Sequence, residues 1–219
     1  MGKEYLKRFT ICILGLVLCA LSNYFGAKAG AAGTSGWNTL ALGISAMTGL
    51  TMGRSALIVS LVVITIDIIF KGKFGFGTLL NIFLIAYFTD VFIAGLTFIP
   101  DPPNVFVGTI YAFLCMIFMA FGMIVYMSPG LGAGPRDTLM VIVGNRFPKA
   151  PIGAARFATE IAVMIIGVLM GASFGIGTVL SITLQSSIFQ LACRICHFEP
   201  RNIHNENIKD TIDRIRGAR

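Results

Sequence analysis

Long apolar runs separated by short polar breaks fill most of this chain. Six runs are read as membrane-spanning helices: Phe9–Gly26, Gly53–Phe70, Thr78–Ile99, Asn104–Met127, Gly153–Gly171 and Thr178–His197. Each approaches or exceeds the ~18 residues that read as a span. The breaks Lys71-Gly-Lys73, Pro100-Asp-Pro-Pro103 and Gly171-Ala-Ser-Phe-Gly175 carry turn chemistry. Two apolar stretches do not fit the pattern. Ser35 to about Ala46, and Gly134–Arg146, are too short to cross a bilayer, and the second carries charge at both ends.

The two halves repeat. Phe74-Gly-Phe-Gly-Thr-Leu-Leu80 matches Phe174-Gly-Ile-Gly-Thr-Val-Leu180, Gly53 matches Gly153, and Asn38-Thr39-Leu40 matches Asp137-Thr138-Leu139. Each half therefore holds a span, a glycine-rich loop, a short segment, a span, a Gly-x-Gly-Thr turn and a span. Three spans is an odd number, so tandem halves lie upside down relative to each other, the construction of many secondary transporters. The expected fold is an all-α polytopic membrane protein of six spans in two inverted repeats, residues 1–100 and 101–198, followed by a tail, 199–219. The short segments, near 35–46 and 134–146, are expected as half-helices, either re-entrant or lying at the interface. The first would enter from outside and the second from the cytoplasm. Pro135 suits a first helical turn, and Asp137 and Asn38 suit first-turn N–H groups.

Charge orients this arrangement. With the N-terminus inside, fifteen of the basic residues fall on the cytoplasmic side and only Lys28 and Arg54 outside, the positive-inside pattern. Both termini are then cytoplasmic. Only 12% of residues are charged, against roughly 25% in soluble domains. The net charge of +7 follows from topology, and no basic run interleaved with aromatics points to nucleic acid. Cys193-Arg-Ile-Cys196-His197 formally matches a haem-attachment pattern, but reads more simply as reduced thiols at the inner end of the last span. The N-terminus resembles a signal peptide, yet removing it would break the repeat. In the tail, Ile208, Ile212 and Ile215 share one helical face, as in a short amphipathic helix on the inner leaflet or a solvated one.

The run Gly130 to Met140, Gly-Leu-Gly-Ala-Gly-Pro-Arg-Asp-Thr-Leu-Met, resembles the signature of the YczE/YyaS/YitT group of bacterial integral membrane proteins. The Gly-x-Gly-Thr turns and Gly36-Trp-Asn-Thr-Leu40 fit as well, over roughly residues 9 to 198. The resemblance implies a bacterial inner-membrane protein and does not settle an activity.

Candidate site residues follow from the polar groups that lipid would not tolerate idly. A charge within a span costs at least ~2.5–3.5 kcal/mol on insertion scales. Asp90, placed near the middle of the third span, and Glu160, four residues after Arg156, are candidates for proton or ion coupling. Asp67 lies within a turn of Lys71 and is expected to pair or snorkel. Substrate binding is assigned to Trp37, Asn38, Gly134, Arg136, Asp137, Thr138, Asn81 and Gln185. Arg136, at a helix start, either holds an anionic group or anchors on lipid phosphate. Trp37 either stacks on substrate or sits in an interfacial belt. No catalytic constellation, phosphate loop, metal cluster or cofactor site is evident. The function expected is a transporter or channel for a small polar, anionic metabolite, bound between two half-helix N-termini. A non-transporting membrane scaffold is the alternative. The partners expected are the bilayer, the substrate and, optionally, further copies of the chain.

Overall fold

The structure is a computed structural model in which residues 2–70, 74–146, 152–199, 203 and 205–215 are described. Lys71, Lys73, Lys149, Arg201, Arg216 and Arg219, all counted above as cytoplasmic, lie outside these residues. The described residues form helices joined by short loops. They are α1 (Gly2–Lys28), a 3-10 turn (Gly30–Ala32), α2 (Gly36–Thr48), α3 (Met52–Ile69), α4 (Phe76–Gly95), α5 (Val105–Met127), α6 (Pro135–Arg146), α7 (Ile152–Leu169), α8 (Ile176–Ile195) and α9 (Ile208–Ile215).

Among the described residues, α1, α3, α4, α5 and α8 are long and apolar enough to cross a membrane. The remaining expected span coincides with α7, a helix of 18 residues. The two short segments are helices of 13 and 12 residues, α2 and α6. At 1.5 Å per residue neither covers a hydrocarbon core of ~30 Å.

The helix starts show why these residues fold locally as they do. The Thr51 hydroxyl accepts the Arg54 N–H and the Asn104 side chain accepts the Val107 N–H, each satisfying an amide that has no partner within its own helix. Pro135 opens α6, where a missing N–H costs nothing. The hydroxyls of Thr10, Thr65, Thr109 and Thr183 donate to the carbonyl four residues earlier. A polar side chain on an apolar helix thus finds its partner within that helix.

Helix α1 is the centre of the packing. It runs antiparallel to α5: a Cβ on Gly15 would strike the Tyr126 backbone, Gly122 faces Cys19, and the Ser22 hydroxyl donates to the Cys115 carbonyl at 2.7 Å. Cys12, Leu16, Cys19, Met123, Tyr126 and Leu131 form the core at one end of this seam, and Tyr24, Phe25 and Cys115 at the other. Phe25 stacks on Phe118 with ring centroids 5.4 Å apart.

Two glycine turns seat the loops that precede α2 and α6. The Gly77 N–H donates to the Leu131 carbonyl at 2.8 Å, and the Thr78 hydroxyl to the Ala133 carbonyl at 2.6 Å. Gly175 and Gly177 lie in the same way against the backbone of Ala31, Ala32 and Gly33. Gly33 and Gly132 both have positive φ, +77° and +120°, a region costly for other residues. The turn of each half therefore holds the loop of the other.

The tail docks on protein. Glu206 is buried and pairs with Arg8 at 2.8 Å. Its carboxylate also accepts the hydroxyls of Tyr5 and Thr211, and its N–H donates to the Gly130 carbonyl at 2.9 Å. The expected leaflet helix exists as α9, but the buried Thr211 turns part of it toward the bundle. Glu206→Ala leaves Arg8 unpaired against the Pro129 carbonyl. The expected outcome is a loss on the order of 2 kcal/mol, seen as a lower melting temperature, with the tail released to limited proteolysis.

Candidate functional site

The first turns of α2 and α6 meet inside the bundle. Helix α2 starts at the buried Gly36, level with Cys115 and Glu160, halfway along α5 and α7. From there it runs beside α7, with Gly43 against Gly167 and Met170. Helix α6 starts at Gly134–Pro135 beside Asn81 and Tyr126. The Arg136 guanidinium lies over the Trp37 ring, 5.1 Å from its centroid, a cation–π contact worth about 0.5–2 kcal/mol depending on desolvation. Trp37 is only 8% exposed and packs against Val59, Val63, Leu139 and Val163. It is a buried wall of the bundle interior.

A cavity of about 100 Å³ lies at this meeting point. Its polar lining includes Asn23, Ser60, Asn81, Tyr126, Arg136, Asp137, Arg156 and Glu160; Met119, Met123, Met140, Ile82 and Ile85 supply apolar wall. Arg136 and Arg156 thus line the cavity from within the bundle.

The helix ends at the cavity already have partners. The Glu160 carboxylate accepts the Gly36 N–H at 2.9 Å, so a built-in anion occupies the α2 N-terminus. The Tyr126 hydroxyl accepts the Gly134 N–H at 3.3 Å and donates to Asp137 at 2.6 Å. At position 60, one hundred residues before Glu160, stands Ser60, which lines the same cavity. The two ends are satisfied by different chemistry.

Of the residues singled out from sequence, Trp37, Asn81, Gly134, Arg136, Asp137 and Glu160 line this cavity. The others do not. Asn38 is buried and its amide donates to the Cys115 sulfur at 3.7 Å. The Thr138 hydroxyl donates back to the Gly134 carbonyl at 3.2 Å. The Gln185 amide donates to the Met116 carbonyl at 3.4 Å. Asp90 lies not at the middle of its helix but toward its end. There its carboxylate accepts the Thr51 hydroxyl at 2.6 Å and the Gly53 N–H at 2.7 Å, capping α3. Glu160, four residues after Arg156, feels that charge and also accepts the Gly36 N–H at the start of α2. Asp67 is buried, and one of its carboxylate oxygens has no partner among the described residues.

Sequence reasoning missed Asn23 and Tyr126. Asn23 is 1% exposed and lines the cavity. Its amide donates to the Thr89 hydroxyl at 3.3 Å, and its amide oxygen has no partner among the described residues. A polar Ser22-Asn23 pair inside the first apolar run was the available signal. Tyr126, at the end of an apolar helix, offered none.

A second cavity, about 380 Å³, lies between α7 and α8. It is lined by Phe157, Ser181, Gln185 and Ser186 and shares Arg156 and Glu160 with the first. The Ser181 hydroxyl is buried without a partner among the described residues.

Comparison with known proteins agrees with the signature at Gly130 to Met140. Residues 6–194 match the family of unknown function DUF6198. An uncharacterized protein of Haemophilus influenzae is 36% identical over 164 residues, 74% of this chain and 73% of that protein. The uncharacterized membrane protein YczE of Bacillus subtilis is 29% identical over 194 residues, 88% of each chain. No solved structure matches. The chain belongs to the DUF6198 family and is a membrane protein with several apolar helices, similar to YczE.

The caps carry measurable stability. Glu160→Ala uncaps α2 and is expected to cost about 1–2 kcal/mol, with Glu160→Gln, which keeps an acceptor, costing less. Asp90→Ala is expected to cost about 1 kcal/mol by the same loss at α3. Thermal unfolding of the three variants in detergent checks the order.

Proposed function

We propose that this DUF6198 chain is a transporter or channel for a small polar metabolite in the bacterial inner membrane, with its site where α2 and α6 begin. The observation that carries the reading is the meeting of two short helices, nose to nose, at a polar cavity inside a bundle of apolar helices. Neither short helix can span, and irregular backbone at membrane depth persists only when packed in protein or lining a wet cavity. Ala31–Gly33 and Leu131–Ala133 are packed against the glycine turns, and Gly134 lines the cavity.

The inverted-repeat reading adds the second half of the argument. Residues 1–100 and 101–198 are taken as two three-span units of opposite orientation. The antiparallel seam of α1 with α5, the helices that open each half, supports it. So does the reciprocal seating of each Gly-x-Gly-Thr turn on the other half's loop. In this arrangement α2 re-enters from outside and α6 from the cytoplasm, and both termini are cytoplasmic. Moving Arg136 and Arg156 into the cavity leaves the positive-inside bias standing. Rocking of one half against the other around a shared site is the motion such folds favour. The cleft between α7 and α8, which shares Arg156 and Glu160 with the central cavity, is the route to it. Proton or ion coupling is then assigned to Glu160, which faces both cavities, rather than to Asp90, which is committed to the α3 cap.

Two measurements test this. Cysteines placed at Thr48 and Arg146, the far ends of the short helices, are expected to label from opposite faces of the membrane; labelling from one face refutes the inverted arrangement. Vesicles carrying the protein are expected to show metabolite flux that Arg136→Ala abolishes while the melting temperature is kept. A folded protein with no flux, in stable stoichiometric complex with another membrane protein, would favour the scaffold instead.

A further inference from the structure

The charges facing the central cavity are two guanidiniums, Arg136 and Arg156, and two carboxylates, Asp137 and Glu160. The acids are committed to neutral donors: Asp137 to the Tyr126 hydroxyl, Glu160 to the Gly36 N–H. Among the described residues, neither guanidinium has a carboxylate within 4 Å. Side-chain charges cancel in number, and the two helix ends add roughly half a positive charge each. Arg136 feels the charges of Glu160 and Asp137, and Arg156 that of Glu160, but with no direct ion pair among them the cavity carries a surplus of about one positive charge.

Asn23 adds an independent requirement. It is buried, it lines the cavity, and one end of its amide has no partner among the described residues while the other meets Thr89. With its amide nitrogen on Thr89, the free end is an acceptor, and buried acceptors in native proteins are nearly always met. Nothing among the described residues meets it, so the ligand supplies the N–H or O–H. The Trp37 face and the three methionines enclose a short carbon skeleton. A volume of about 100 Å³ is well below the ~300–1,000 Å³ of sites for drug-sized ligands.

We propose that the central cavity binds a small organic monoanion that carries a hydroxyl or amino donor. Its anionic group lies on Arg136, and its donor meets Asn23. A dianion overshoots the surplus charge and a neutral molecule leaves it unmet. This class rests on the transport reading for its site, but binding is read separately from flux.

Trp37 is the chain's one tryptophan, and it forms the wall of this cavity, so its fluorescence reports occupancy directly. The full-length protein in detergent is titrated at neutral pH with lactate, propionate, lactamide and malate. Lactate is expected to change the Trp37 emission saturably and to bind about tenfold more tightly than propionate, which lacks only the hydroxyl. Lactamide and malate are expected to bind more weakly than lactate. Arg136→Gln is expected to abolish the preference for lactate over lactamide, and Asn23→Ala the preference for lactate over propionate. If Asn23→Ala does not fold, the four probes on the unaltered protein still decide. Equal binding of propionate and lactate overturns the donor requirement. Equal or tighter binding of lactamide or malate overturns the charge class. Silence from all four probes overturns the proposal. Lactate binding without flux in vesicles keeps the class and refutes transport, and flux of a neutral solute with no lactate binding does the reverse.

Discussion

Everything in this fold answers to one constraint: two helices begin inside the protein, among apolar helices. A helix start leaves four N–H groups without partners, and in lipid-like surroundings each unmet group costs several kcal/mol. The chain meets the demand at α2 with a carboxylate from α7, at 2.9 Å from the Gly36 nitrogen. At α6 the Tyr126 hydroxyl accepts the Gly134 N–H and in turn donates to Asp137 of the first turn. These groups, needed for structure, are also the polar walls of the cavity. A polar surface in the middle of an apolar bundle follows from starting helices there.

The glycines make the arrangement possible in space. The seam of α1 with α5 depends on Gly15 and Gly122, and the seam of α2 with α7 on Gly43 and Gly167, where a Cβ would collide with the opposing backbone. Lipid offers no hydrophobic drive between helices, so close packing of small residues does that work. Around the cavity the rule is reversed. Methionine, tryptophan and arginine line the walls, and a cleft lies between α7 and α8.

The positions of the helices, the shortness of α2 and α6 and the importance of the Gly-x-Gly-Thr turns are legible in the sequence, because length, glycine spacing and self-similarity are local properties. So is the promise of Arg136 and Trp37, which hold matching places in the two halves. What local pattern cannot supply is the partner across the fold. Glu160 sits four residues from Arg156, as helix spacing suggests, but the N–H it accepts lies 124 residues away on α2. Asp90 looks like a stranded charge in a span, yet it closes the start of α3. Asn23 was visible as a polar residue in an apolar run, and only its unmet amide gives it meaning.

The Glu206 clamp has a consequence for assembly. It joins the first turns of α1 to a residue 201 positions later than Tyr5, and it covers the junction of Gly75 with the α5–α6 loop. During synthesis α1 must enter the bilayer long before its acidic partner exists. Arg8 therefore spends that interval with water and headgroups. The two ends of the polypeptide come together only as a closing knot, after the helices between them have found their places.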